Sequence, residues 1–264
     1  MYKKILIAEG NLEKENNNFT RSGIPTHTES LKESLSFFTN DLDINIINPS
    51  SEKNISSIIN DLNKYDALIW GGSSLNIYND TIEIKRQIEF MRECFKSIKS
   101  ILAICWGMQV AVTAAGGEVK KSINGAHIGI AQNIEINKNG IKFPLYKNKK
   151  SIFNTPAFNF DEVTKIPKDS TILASNKINK VQSLNFKTGI SEIWGLQYHP
   201  EITYDKMIKL IKFRKDRLIN IRKVFTNEKE IEEHINLLEK ENKISEKSSR
   251  LQELQNWLNY ISAN

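Results

Sequence analysis

Residues 101–109, Ile-Leu-Ala-Ile-Cys-Trp-Gly-Met-Gln, leave the backbone few solutions. Four apolar residues of strand character end at Cys105, and a helix-forming run over 107–115 follows with no linker, stopped by Gly116-Gly117. Small residues flank the cysteine, Ala103 two before it and Gly107 two after it. This is the nucleophile-elbow pattern with cysteine in the place of serine: the turn is so sharp that bulky flanking residues would collide, and the strain lifts the side chain over the sheet edge. A thiol at a helix amino terminus also has its thiolate favoured by the helix dipole. The competing account is a cysteine buried at a strand end, where it packs well.

The flanking sequence says what sheet the elbow belongs to. Strands are expected at Lys4–Ala8, Ile44–Ile47, Ala67–Trp70 and Ile101–Ile104, separated by amphipathic stretches at Glu29–Phe38, Ile55–Leu62 and Ile82–Ile98. Strand–helix alternation implies an α/β fold with a doubly wound, mostly parallel central sheet and flanking helices. In such sheets ligands sit beyond the carboxyl ends of the strands, where both Gly71-Gly72 and Cys105 fall. From Ala131 to Gly195 short strands and turns take over and are expected to extend the sheet in a mixed or antiparallel way. After residue 200 the chain reads as helical, giving a division into an α/β domain over 1–215 and a helical carboxyl-terminal extension over 216–264.

Composition narrows the class. With 39% hydrophobic and 26% charged residues the chain has the balance of a globular protein. No run of about 18 apolar residues occurs, so no membrane-spanning helix is expected. Two cysteines cannot build a disulfide framework, and a reducing cytoplasm would keep Cys105 free for chemistry. The net charge of +6 comes from lysines interleaved with acids, without the basic and aromatic clustering that reads nucleic acid.

Two further segments complete a constellation. In Gly195-Leu196-Gln197-Tyr198-His199-Pro200-Glu201, strand residues lead to a histidine that can accept the thiol proton, with a carboxylate two positions on to hold the imidazole tautomer. In Gly71-Gly72-Ser73, two glycines after a strand can turn backbone N–H groups toward a developing oxyanion.

Together with Ala115-Gly116-Gly117 and Asp161-Glu162-Val163, these segments resemble the class I, triad-type glutamine amidotransferases over roughly residues 1–215, free-standing GMP-synthase-like members above all. The resemblance implies a flavodoxin-like fold. It also implies a catalytic triad of Cys105, His199 and Glu201, an oxyanion hole at Gly72 and Trp106, and substrate contacts at Gln109 and Gly71. The implied reaction takes glutamine or another γ-glutamyl small molecule through a cysteine thioester, with no cofactor and no metal. Two positions depart from the family: Ala103 stands for the first elbow glycine, and Asn159, in a segment that borders the family's glutamine pocket, stands where many relatives have histidine. No Walker-type loop or following synthetase segment is present, so an ammonia-accepting synthetase partner would lie on another chain.

Other readings attach to the same elements. Homoserine O-acyltransferases resemble this fold and carry a similar elbow and His-Pro-Glu motif, and a non-catalytic regulatory relative would share the fold alone. His27 and His127 lack metal-spaced neighbours and read as packing or solvated residues, as do His234 on the surface and Cys94 opposite Met91 and Phe95. Residues 223–247 read as a solvated charged helix, Trp257 as a docking residue, and Arg214, Arg217 and Arg222 as a basic group whose spacing alone demands no phosphate.

Overall fold

A computed structural model describes residues 3–51 and 55–263. Its centre is a nine-stranded sheet whose parallel half begins with β1 (Lys3–Ala8), β2 (Leu42–Ile47), β3 (Ala67–Trp70) and β4 (Ser100–Ile104), in the order β2-β1-β3-β4. The strand Ser191–Leu196 pairs parallel to β4, and Ser183–Thr188, Thr171–Ser175, Ala131–Ile136 and Ile152–Thr155 follow it, all antiparallel to their neighbours. The mixed extension expected after Ala131 thus forms, joined to the parallel half by Ser191–Leu196.

Helices cover both faces, so the inner strands are apolar on both sides rather than alternating. Leu6, Leu68, Trp70, Ile101 and Ala103 face one core, packed by α4 (Ile82–Ser97) and α5 (Trp106–Ala114). The intervening Ile5, Ile7, Ile69, Leu102 and Ile104 face the other, with Leu31 and Leu35 of the helix His27–Ser36. That helix starts earlier than the apolar pattern suggests because Thr26 and Glu29 form a reciprocal capping box. Cys94 does not stand opposite Met91 and Phe95: all three are buried in one core, because the α4 face toward the sheet is wide enough to include it.

The last helix shares the second of these cores. Leu251, Leu254, Trp257, Leu258 and Ile261 pack in the same cluster as Ile104, Leu196 and Tyr198. A fully buried tryptophan contributes on the order of 2–3 kcal/mol from area alone, so this last stripe is a substantial share of that core. Glu228–Ile244 is a charged helix whose Ile231, Ile235 and Leu238 are buried against Tyr204–Phe213. His234 is half-buried there, its ring tilted against that of Phe225 with centroids 5.3 Å apart, and not a free surface residue. Among the described residues no helix is long and apolar enough to cross a membrane.

Candidate active site

Cys105 sits between β4 and α5 with φ 52° and ψ −101°, a conformation that costs a non-glycine residue about 1–3 kcal/mol. Its surroundings over-determine it. The Cys105 N–H donates to the Leu196 carbonyl at 2.6 Å and the Gly107 N–H to the Gly71 carbonyl at 3.1 Å. A Cβ on Gly107 would lie 2.3 Å from the Trp70 carbonyl oxygen, which is the collision the small flank avoids. The Trp106 indole N–H donates to Gln87 at 2.6 Å, and Gln87 donates in turn to the Gly10 carbonyl at 3.0 Å. The first turn of α5 is thereby tied to the loop after β1.

His199 and Glu201 follow the strand that pairs with β4, and the register Leu196↔Ile104 brings their loop over the elbow. His199 Nδ1 lies 2.7 Å from Glu201 Oε1, and both side chains are buried. A carboxylate at Nδ1 fixes the proton there and leaves Nε2 for the thiol. Burial alone would disfavour the imidazolium, but the Glu201 carboxylate and the adjacent Cys105 outweigh it and raise His199 to about 10. The imidazole is therefore held as a cation that can return a proton. Gln197 also donates its side-chain N–H to Cys105 Sγ at 3.6 Å, a contact that its strand position gave no hint of.

Two more partners were invisible in the sequence. His27 stacks on His199 with ring centroids 5.3 Å apart, and its buried Nδ1 has no partner among the described residues. Burial, the facing His199 charge and Arg214 hold it well below the usual histidine range, so it is a neutral wall for the imidazolium. Arg250, from the far end of the chain, donates to the carbonyls of Pro200 and Ile202 on either side of Glu201, the latter at 3.3 Å. Only the capping sequence around Thr26 marks His27 at all, and it marks a helix start.

Of the glycine pair, Gly71 has both backbone groups engaged, its N–H with Ala8 at 3.4 Å and its carbonyl with Gly107. The N–H groups of Gly72 and Trp106 have no partner among the described residues, and Gly72 cannot carry a side chain: its Cβ would fall 2.5 Å from His27 Cε1 and 2.8 Å from His199 Cε1. A cavity opens at Cys105, walled by Gln109, Ser74, Asn76 and the segment Phe158–Asp161. Asn159 has its amide engaged inside the protein, its oxygen accepting from His127 Nδ1 at 3.1 Å and its N–H donating to the Asp161 carbonyl at 3.0 Å. Burial lowers His127 to about 4, so it is a neutral partner of that amide. His127 is thus a hydrogen-bonded packing residue behind this wall.

Ligand atoms of His27, His199 and Glu201 lie within 4.8 Å of one another. A cation bound there would compete with the Glu201–His199 contact, so the grouping suits acid–base chemistry rather than a resident metal.

The model for the class I glutamine amidotransferase family matches residues 26–215, most of the chain. The chain belongs to the class I glutamine amidotransferases. It is an enzyme of the glutaminase or γ-glutamyl hydrolase type. It is similar to a γ-glutamyl-L-1-hydroxyisopropylamide hydrolase of Pseudomonas sp., 32% identical over 203 residues, which are 76% of this chain and 68% of that one. It is also similar to γ-glutamyl peptidase 3 of Arabidopsis thaliana, 28% identical over 166 residues, 62% of this chain and 64% of that one. A glutamine amidotransferase crystal structure from Thermotoga maritima shares the amidotransferase fold at a TM-score of 0.66, covering 100% of both chains at 16% identity.

Proposed function

We propose that this amidotransferase hydrolyses γ-glutamyl amides through a thioester on Cys105. The observation that carries the reading is a strained cysteine at a helix amino terminus facing a histidine paired to a carboxylate, with two free backbone N–H groups beside it. Cys105 Sγ attacks the γ-carbonyl carbon, and the oxyanion is stabilised by the N–H groups of Gly72 and Trp106. Collapse breaks the C–N bond as the His199 imidazolium gives its proton to the departing amine. Water, deprotonated by the now neutral His199, then attacks the thioester, releasing glutamate and restoring the thiolate. Glu201 orients His199 throughout, and Gln109 and the Gly71 turn shape the acyl side of the pocket.

Whether the leaving group is ammonia or a larger amine separates two uses of the site. Relatives named for γ-glutamyl hydrolysis favour release of an amine into solution. Transfer of ammonia would need an acceptor synthetase. Both cysteines are free, which suits a reducing cytoplasm. The test is turnover of glutamine and of γ-glutamyl amines by the purified protein, with intact-mass detection of Cys105 labelling by a diazo-ketone glutamine analogue. Turnover without any acceptor, together with labelling, supports the reading; neither turnover nor labelling refutes it.

Glu201→Gln gives a second check. Losing the carboxylate removes the charge that raises His199, so the imidazolium is lost at lower pH. The alkaline limb of the pH profile of kcat/KM should move toward acid, with kcat lower by on the order of 10²–10⁴-fold. An unmoved alkaline limb would mean that another group supplies the proton.

A further inference from the structure

The cavity at Cys105 has an arginine wall for which the thioester chemistry has no use. Arg214, just past the helix Tyr204–Phe213, Arg217, which opens the π-helical turn Arg217–Ile221, and Arg222, which follows that turn, line it together with Cys105 and Gln109. Two of them are held in place. Arg214 donates to Glu15 Oε1 at 3.0 Å and to Ser74, and lies over the rings of Phe158 and Phe19 at 5.3 and 5.5 Å. Arg222 donates to Asn76 Oδ1 at 2.9 Å and lies 4.6 Å over the Phe160 ring. The Arg217 guanidinium makes no hydrogen bond or ion pair with any described residue, and the buried Nε of Arg214 also has no partner there.

Three guanidiniums in one partly buried wall face two carboxylates: Glu15, bonded to Arg214, and Asp161, which Asn76 links to Arg222 through a 2.9 Å hydrogen bond. Burial raises the Asp161 pKa despite its hydrogen bonds from Asn76 and Tyr78, so it offsets the cations incompletely. Burial and mutual repulsion lower Arg214 to about 10, against the pull of Glu15, and lower Arg217 as well. A desolvated cation without a counter-charge is costly unless an anion enters. Guanidinium is the side chain whose planar fork fits a carboxylate.

We propose that Arg217, flanked by Arg214 and Arg222, binds a carboxylate of the γ-glutamyl substrate and selects anionic over neutral substrates. The proposal rests on the γ-glutamyl hydrolase reading above. A carboxylate can come from two sources near the scissile carbonyl: the α-carboxylate of the glutamyl group, three carbons away, or the carboxylate of an amino acid serving as leaving amine, as in a γ-glutamyl peptide. Both present the same chemistry to the wall.

The experiment compares the intact enzyme with Arg217→Gln on γ-glutamylglycine, γ-glutamylethylamide, and γ-glutamylethylamide whose α-carboxylate is converted to the amide. Loss of a charge-assisted pair is expected to lower kcat/KM roughly 10- to 100-fold, mainly through KM, for the substrate whose carboxylate is read. A greater loss for γ-glutamylglycine than for the ethylamide assigns the leaving-group carboxylate. An equal loss for those two that exceeds the loss for the α-amide assigns the α-carboxylate. Equal losses on all three, or none, overturn the proposal. Arg217→Lys, which keeps the charge and loses the fork, is expected to fall between. If the intact enzyme turns over none of the three, the hydrolase reading fails. Calorimetry with L-glutamate then still decides the proposal: binding weakened at least tenfold by Arg217→Gln supports it, and equal binding ends it.

Discussion

Cys105→Ser is expected to abolish hydrolysis of every γ-glutamyl amide, with kcat lower by roughly 10³-fold or more, while the fold stays intact. Serine fits the same space and meets the same φ of 52°, so the elbow keeps its shape. The difference is chemical: in the proposed reaction the sulfur beside His199 is the attacking group, and a hydroxyl beside the same imidazole remains protonated. The measurement is kcat with each substrate, alongside a thermal melt expected within a few degrees of the parent. A variant that retains a tenth of the parental turnover would remove Cys105 from the mechanism. Cys94 offers no substitute, since it lies in the core with burial pushing its thiol up beyond the range of useful ionisation.

Gly72→Ala carries the second large effect, and it acts through space rather than charge. The added methyl would sit 2.5 Å from His27 and 2.8 Å from His199, so either the loop or both imidazoles must move. In the proposed reaction a displaced Gly72 N–H is one oxyanion donor lost, and such a donor is worth about 10²–10³ in kcat. Because the donor acts on the transition state, kcat and kcat/KM should fall together with KM little changed. The double variant with His27→Ala removes the nearer of the two contacts, so part of the activity should return. A single variant as active as the parent would place the oxyanion elsewhere.

The parts of this site that could be read in sequence are those built by local geometry. Ala103, Cys105 and Gly107 announce an elbow because a sharp strand-to-helix turn restricts neighbours two residues away, and the Trp70 carbonyl against Gly107 is that restriction seen in space. The strands at Lys3–Ala8, Ala67–Trp70 and Ser100–Ile104 were legible as apolar runs because helices cover both faces of that half of the sheet. His199 and Glu201 were legible because strand, histidine and carboxylate follow one another within a few residues. What could not be read depends on contacts between distant segments. His27 meets His199 across 172 positions only because the sheet order places the helix His27–Ser36 beside the elbow. The arginines Arg214, Arg217 and Arg222 have no informative spacing, and only the turn of the chain past Phe213 aims them at Cys105. The short ribbons Glu118–Lys121 with Asp161–Lys165 and His127–Ile128 with Phe158–Asn159 escaped notice because two- to five-residue strands carry too little periodicity.

Arg250 carries a consequence for the order of events in making the enzyme. A chain synthesised as far as Ile202 already contains Cys105, His199 and Glu201, yet the carbonyls flanking Glu201 still await their cation. Tyr198, one residue before His199, likewise waits for Glu253 to accept a hydrogen bond from its hydroxyl at 2.8 Å. The loop that carries His199 and Glu201 is thus clasped from behind by residues that leave the ribosome about fifty positions later.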